Sequence, residues 1–141
     1  MIKCASIGML DVAKINPVLQ SANDVKNYDF ITNDGDLYLV ANELTGDLAH
    51  VDDVTIKAGD WLNGYYVKAW EGQELIVDGK HVAYAENKDY SDLAVNNLMT
   101  VDANGKLAVA NAAPESGVYF KITKVGMKLT EAAVKVKVMV A

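Results

Sequence analysis

Residues that perform nucleophilic or acid–base catalysis are sparse in this 141-residue sequence. It contains two histidines, His50 in a polar stretch and His81 at the start of an apolar one, and a single cysteine, Cys4, among apolar residues. A catalytic nucleophile needs a base beside it and a third group that orients the base. No Gly-x-Ser-x-Gly motif is present, and a lone cysteine in an apolar stretch is typically a core residue. The sequence therefore predicts no catalytic residues and a protein that is not an enzyme.

Carboxylates and amides offer two other kinds of chemistry. Glu71 and Glu74 could form the pair of carboxylic acids that hydrolyses a glycosidic bond, in which the two acids lie about 5 to 10 Å apart. They flank a glycine turn, however, where charged residues face solvent. Asn33, Asp34 and Asp36 bring oxygen ligands together as a calcium site requires. The glycine among them and the missing twelfth-position glutamate break the EF-hand pattern, and turn formation accounts for the same residues. We predict no metal and no cofactor.

Four aromatic residues, Trp61, Tyr65, Tyr66 and Trp70, lie within ten positions. If residues 65–70 form a strand, Tyr66 and Trp70 share one face and Tyr65 lies on the other. Exposed rings at this spacing would stack on a sugar or anchor a protein partner. Packing of the rings in the core is the alternative that the sequence leaves open. Trp61, Tyr66 and Trp70 are candidate partner contacts.

Composition predicts a single domain with a large core, because 51% of the residues are hydrophobic and 23% are charged. One cysteine excludes an internal disulfide and fits a reducing compartment. No signal peptide or membrane-spanning segment is evident. The net charge is −6, every basic residue is lysine, and residues 1–117 carry 8 lysines against 18 carboxylates. An acidic chain without arginine argues against nucleic-acid binding. We expect neither a nucleic acid nor a membrane as partner.

The clearest structural pattern lies at the C-terminal end, in residues 117–141. Its last segment alternates two sets of residues: Val134, Val136, Val138 and Val140 on one face, and Lys135, Lys137 and Met139 on the other. Period-two alternation with β-branched residues predicts a half-buried strand. Residues 118–125 alternate in the same way, with Phe120 and Ile122 inward, so the two segments form a hairpin. Its lysines, Lys121, Lys135 and Lys137, are expected to pair within the domain or protect an edge strand rather than contact an acidic partner.

The remaining chain reads as short strands separated by turns. Asp34-Gly35 and the turn at residues 102–105 predict hairpins, and Asp78-Gly79 predicts a third. Asn63-Gly64 is expected to be a turn, residues 18–26 one helical turn, and residues 92–96 a brief helix capped by Ser91. Nine to eleven strands with closely spaced turns predict an all-β fold, a single compact sandwich or barrel of short antiparallel strands. Residues 1–17 are expected to be an N-terminal strand or extended arm, and residues 18–141 a single β domain.

Three segments resemble the small head decoration, or capsid cement, proteins of tailed bacteriophages: VTIKAGDWLNGYYVKAW, LMTVDANGKLAVAN and GVYFKITKVGMKLTEAAVKVKVMVA. The resemblance covers residues 54–141 and implies a structural protein without catalytic residues. Such a protein is made in the host cytoplasm and binds the exterior of the assembled shell in the virion. Its partner is the major capsid protein, together with self-association as a trimer or another oligomer.

The same resemblance makes the N-terminal arm a candidate capsid contact, because arms that become ordered on binding commonly wrap a partner. The apolar residues that would make the contact are Ile2, Ile7, Met9 and Ile15. The alternative function is a carbohydrate- or receptor-binding β module of a virion or cell surface, which the aromatic residues would serve.

Overall fold

The architecture comes from a computed structural model, in which residues 2–4, 15–42, 55–128 and 131–141 are described. These residues form thirteen strands: β1 (Ile2–Cys4), β2 (Ile15–Gln20), β3 (Val25–Lys26), β4 (Phe30–Asn33), β5 (Asp36–Val40), β6 (Thr55–Ile56), β7 (Trp61–Tyr66), β8 (Glu74–Asp78), β9 (Val82–Ala83), β10 (Leu98–Val101), β11 (Leu107–Ala110), β12 (Val118–Lys128) and β13 (Glu131–Val140). Short 3₁₀ helices occupy Val67–Trp70, Gly79–His81 and Tyr90–Asp92.

The strands assemble into three sheets. A seven-stranded sheet has the order β1-β8-β13-β12-β10-β11-β9, a four-stranded sheet has the order β2-β7-β5-β4, and β3 pairs with β6. Pairing is antiparallel except between β9 and β11, which run parallel. The prediction of a compact all-β fold is confirmed, and strands account for about half of the chain.

The C-terminal hairpin lies in the middle of the seven-stranded sheet, as β12 and β13, between β10 and β8. Val134, Val136 and Val138 are at most 1% exposed, and Phe120 and Ile122 are fully buried. The predicted alternation is therefore confirmed in β13 and in β12 as far as Ile122. The two strands are 11 and 10 residues long, which makes them the longest of the described elements.

A β-bulge at Thr123 interrupts this hairpin. Ile122 pairs with Val136, but the next pair is Lys124 with Lys135, so Thr123 has no partner of its own across the ladder. An extra residue reverses the alternation of side chains beyond it. Val125 consequently returns to the buried face and packs against the core that contains Ile122.

The four-stranded sheet buries both of its faces. Its side chains alternate between two apolar clusters, with Phe30 and Leu39 in the larger one and Ile31 and Val40 in the smaller one. The larger cluster lies against the seven-stranded sheet, where the rings of Phe30 and Phe120 are 5.4 Å apart. The smaller cluster also contains one residue from each strand of the β3–β6 pair. The small sheet is therefore a middle layer.

The aromatic segment differs from the prediction at both ends. Asn63-Gly64 is not a turn but lies inside β7. The glycine is needed there because neighbouring strands approach closely: a Cβ at Gly64 would lie 2.8 Å from Cδ1 of Leu19. Residues 65–70 are not one strand, since β7 ends at Tyr66 and a 3₁₀ helix follows. In that helix, residues three apart lie on one side, so Val67 and Trp70 both reach the core.

Two further local predictions are wrong. Asp78-Gly79 does not form a hairpin: a 3₁₀ helix follows β8, and β9 crosses to the far edge of the sheet to pair with β11. Residues 18–26 contain the end of β2 and all of β3 rather than a helical turn. Local propensity is weak in both stretches, so pairing with distant strands decides their conformation.

The remaining predictions are mixed. The hairpins at Asp34-Gly35 and at residues 102–105 are confirmed, and the backbone φ angles of Asp34 and Gly35 are both positive, as a tight hairpin turn requires. The helix predicted for residues 92–96 is replaced by the 3₁₀ helix Tyr90–Asp92, and Asp89 caps it instead of Ser91. The segment predicted as an N-terminal arm contributes β1 to the large sheet and the start of β2 to the small one.

An ion pair fastens the turn before β11 to the small sheet. Nζ of Lys106 donates to Oδ1 of Asp29 at 2.7 Å, and the backbone N–H of Lys26 donates to Oδ2 of the same carboxylate at 2.9 Å. The N–H of Phe30 donates to the carbonyl of Gly105. The Asp29 side chain is only 10% exposed, so the buried carboxylate needs these hydrogen-bond donors in place of water.

Replacing Asp29 with alanine is expected to lower the free energy of unfolding by about 2 kcal/mol, because a half-buried ammonium and a backbone N–H lose their acceptor. Asp24 offers a matched control, since it also accepts from one lysine, Lys57, and one backbone N–H, that of Ala58, but is exposed. Urea unfolding of both variants checks the difference. An equal loss for Asp24→Ala would contradict the role given to burial.

Candidate functional site

Of the four N-terminal candidate contacts, one is buried, and the side chains of the other three lie outside the described part of the structure. Ile2 lies in β1, is 5% exposed and belongs to the larger core cluster. It cannot contact a partner, because its side chain packs into the core on the inner side of the seven-stranded sheet. Ile7 and Met9 lie outside the described residues. Ile15 begins β2, opposite Tyr65 in β7, and its side chain is also outside the description.

The three aromatic candidates do not form one surface. Trp70 is 0% exposed and its ring lies 5.5 Å from that of Tyr65, so it is a core residue and its interpretation as a contact is corrected. Tyr66 is half-buried beside Tyr38, its cross-strand neighbour, with ring centroids 5.7 Å apart. Trp61 is 65% exposed and lies at the other end of β7, on the opposite face from Tyr66. Trp61 is thus the one large exposed aromatic side chain of the described residues.

A second surface is formed by the outward face of the C-terminal hairpin, which we call the lysine face: Lys121, Lys124, Lys135 and Lys137. Two of its pairs lie directly opposite each other across the ladder, Lys121 with Lys137 and Lys124 with Lys135. Lys124 and Lys137 are exposed and the other two are half-buried. Four ammonium groups therefore share one face of two neighbouring strands.

The bulge at Thr123 is what brings Lys124 to this face. Residues 121 and 124 are three apart, and in a regular strand they would point to opposite sides. The extra residue restores Lys124 to the outer side and Val125 to the inner side. Strict alternation missed Lys124 for this reason. The signal available in the sequence was the spacing of the apolar residues, which changes from two between Phe120 and Ile122 to three between Ile122 and Val125.

The lysine face carries little compensating charge. Glu74 lies opposite Lys137 on the neighbouring strand, and its Oε2 accepts a hydrogen bond of 2.6 Å from the hydroxyl of Thr123. Within the described parts of the chain, no carboxylate lies within 4 Å of any of the four ammonium groups. The expectation that these lysines pair within the domain is not met there. Lys121, Lys135 and Lys137 do not protect an edge either, because each is paired with a strand on both sides.

A cleft of about 550 Å³ lies beside β9 and β11. Its rim includes Asp89 and Asp92, which are engaged in capping the 3₁₀ helix: Asp89 accepts from the N–H of Ser91, and Asp92 accepts from the N–H of Asp89. Hydrogen bonds from the hydroxyl and the backbone N–H of Ser91 lower the pKa of Asp89 below its usual value. The cleft also includes Tyr84, whose pKa is raised by burial. These carboxylates serve local structure and are not arranged for acid–base work.

The other residues with catalytic chemistry are distributed through the fold. His81 is 5% exposed, and its ring lies 5.6 Å from that of Tyr28, edge to face. His50 is outside the described residues, and the backbone of Cys4 pairs with Leu75 in the large sheet. No three metal-ligating side chains are grouped within the described ranges. In the same ranges, no helix has the length and apolarity needed to span a bilayer.

Comparison with protein-family models, with curated proteins and with solved structures finds no significant match for this chain. The two exposed surfaces that could contact a partner are the lysine face and the surface around Trp61. They belong to different sheets, the first to the seven-stranded sheet and the second to the four-stranded one.

Replacing Lys124 and Lys135 together with glutamine is expected to leave the free energy of unfolding unchanged or raise it by up to about 1 kcal/mol, because directly opposed like charges repel. The gain should shrink in 0.5 M NaCl, where surface charges are screened. Lys57→Gln, which removes a lysine that is paired with Asp24, is the control and should give no gain. A double variant less stable than wild type would mean that these lysines stabilise the fold.

Proposed function

We propose that this chain is a non-enzymatic structural protein that binds and stabilises the outer surface of a bacteriophage capsid shell. The observation that carries the proposal is the lysine face, a solvent-accessible surface on the two longest strands. Both faces of the four-stranded sheet are packed, whereas the outward face of β12 and β13 keeps exposed charged groups. A domain with one such surface is suited to lying on a large partner.

The shape of this surface favours a macromolecule over a small molecule. Sites for small ligands are concave and mostly apolar, and they enclose most of the ligand. A sheet face instead presents side chains in rows about 5 Å apart, which suits contact with another broad surface. Many copies bound to a repeating shell would need only a modest affinity at each contact, provided that neighbouring copies also interact.

The choice of partner in this proposal comes from the resemblance of residues 54–141 to head decoration proteins. The resemblance implies that the chain binds the major capsid protein on the exterior of the head. It also implies self-association around a symmetry axis of the shell. The compact all-β fold is compatible with that role. The candidate contacts of the N-terminal arm stay predictions for Ile7, Met9 and Ile15, while Ile2 is assigned to the core.

Co-sedimentation with expanded, DNA-free phage heads tests this proposal. We expect saturable binding at a fixed ratio of chain to coat subunit, and a higher temperature of head disruption when the chain is bound. A folded acidic protein of similar size controls for trapping in the pellet. A folded chain that stays in the supernatant at every concentration would eliminate the proposal.

A second candidate, a carbohydrate- or receptor-binding module, is favoured by Trp61, a residue that is 65% exposed at the start of a strand. An exposed indole offers a flat apolar face on which a sugar ring can stack. No other large aromatic ring of the described chain is exposed, so any such site would be small and weak.

A glycan array separates this candidate from the first. Binding of wild type should be lost in Trp61→Ala, since the stacking surface is removed, and kept in Val109→Ala, which truncates another exposed apolar side chain. Trp70→Ala is not a useful control, because removing a fully buried indole costs about 3 to 5 kcal/mol. The absence of any signal with wild type, or a signal that survives Trp61→Ala, would count against a sugar site at this residue.

A further inference from the structure

We infer that the lysine face is a docking site for an acidic protein surface, with Lys121, Lys124, Lys135 and Lys137 as the contacting groups. The inference rests on the proposed function and specifies the chemistry of its partner: a patch of aspartate and glutamate side chains on the surface that the chain covers. It also fixes the orientation of the chain, with the seven-stranded sheet facing the partner.

The first support is the segregation of charge along the chain. Residues 118–141 carry 5 lysines and one glutamate, whereas residues 1–117 have a net charge of −10. The fold then places four of those lysines together, in two directly opposed pairs. Opposed like charges destabilise a sheet, so this arrangement is unfavourable in the isolated chain. A partner that places carboxylates opposite these lysines would add attractions that outweigh the repulsion between them.

The second support is that the two intramolecular explanations are not met. Lysines that blunt an exposed strand edge are common, but Lys121, Lys135 and Lys137 lie where their strands are paired on both sides. Lys124 lies beyond the pairing of β10 with β12. Glu74 is the carboxylate opposite Lys137, and within the described chain it forms no ion pair with any of the four lysines. Within the described chain the four ammonium groups make no ion pair, so they can bind carboxylates of another molecule.

The third support is the composition of the surrounding surface. Ile76 and Met139 are half-buried and have the same outward orientation, next to Lys135 and Lys137 respectively. Long lysine stems add further apolar area. A docking surface needs such area, because charge complementarity gives orientation and speed of association while apolar burial contributes most of the affinity.

A protein fits this patch better than a nucleic acid does. The four lysines span two strands and about four residues along them, roughly 5 by 10 Å. A nucleic acid carries one phosphate charge every few ångströms, so it would extend beyond the patch onto the acidic remainder of the chain. The chain also lacks arginine, the residue that binds phosphate in a bidentate manner. An acidic patch on a protein can match the lysine face in size.

The experiment compares two quadruple variants of the full chain. One replaces Lys121, Lys124, Lys135 and Lys137 with glutamine, and the other replaces four exposed lysines elsewhere, Lys26, Lys57, Lys68 and Lys88, with glutamine. Both change the net charge equally. Circular dichroism verifies that each variant folds. If the first does not fold, the double variants of the two opposed pairs, Lys121 with Lys137 and Lys124 with Lys135, take its place.

Binding is measured by surface plasmon resonance on immobilised poly-L-glutamate and on double-stranded DNA, and by co-sedimentation with phage heads. We expect wild type to bind poly-L-glutamate, with a Kd that rises about tenfold between 50 and 200 mM NaCl. Loss of the lysine face should weaken binding to poly-L-glutamate and to heads at least about tenfold at low salt, while the control variant stays within about twofold of wild type.

Each outcome decides one claim. Head binding that is unchanged in the lysine-face variant overturns this inference and leaves the proposed function in place. Lysine-dependent binding to poly-L-glutamate without any binding to heads supports the inference and removes the capsid as partner. Equal losses in both variants would show a response to net charge alone and overturn the assignment to these four residues. Tighter binding to DNA than to poly-L-glutamate would make the partner a nucleic acid and overturn the choice of a protein.

Discussion

The four-stranded sheet is apolar on both faces, and the need to cover both faces organises the rest of the structure. One face packs against the seven-stranded sheet through Phe30 and Phe120, and the other packs against the β3–β6 pair. Burial of these faces supplies the main favourable free energy of such a fold. It also requires close approach between strands, for which Gly64 and Gly105 leave space beside Leu19 and Phe30.

Covering the small sheet on both sides leaves the outward face of the seven-stranded sheet to solvent. That face carries charged side chains, and the chain places four lysines on its central strands. Their mutual repulsion is a cost that folding alone does not require. The proposed role as a capsid-binding protein gives this arrangement a reason, since a partner rich in carboxylates would turn repulsion into attraction.

The hairpins at Asp34-Gly35 and at residues 102–105 and the long alternating strands could be predicted from sequence, whereas the turns predicted at Asn63-Gly64 and Asp78-Gly79 were wrong. The C-terminal hairpin followed from the strict alternation of residues 134–140, and the Asp34-Gly35 hairpin followed from two residues that tolerate positive φ. The aromatic segment could not be predicted in the same way. Whether β7 continues past Tyr66 depends on where the core lies, and Trp70 turns inward because a 3₁₀ helix carries it there.

The sequence by itself determined the all-β class, the two central strands and the segregation of positive charge at the C-terminal end, because these depend on local alternation, turn chemistry and composition. Only the tertiary structure decided which side chains form a surface. The bulge at Thr123 moved Lys124 to the lysine face, and core packing removed Ile2 and Trp70 from the candidate contacts. The physical reason is that burial and register depend on strands distant in sequence, and a one-residue change in register moves every later side chain to the other face.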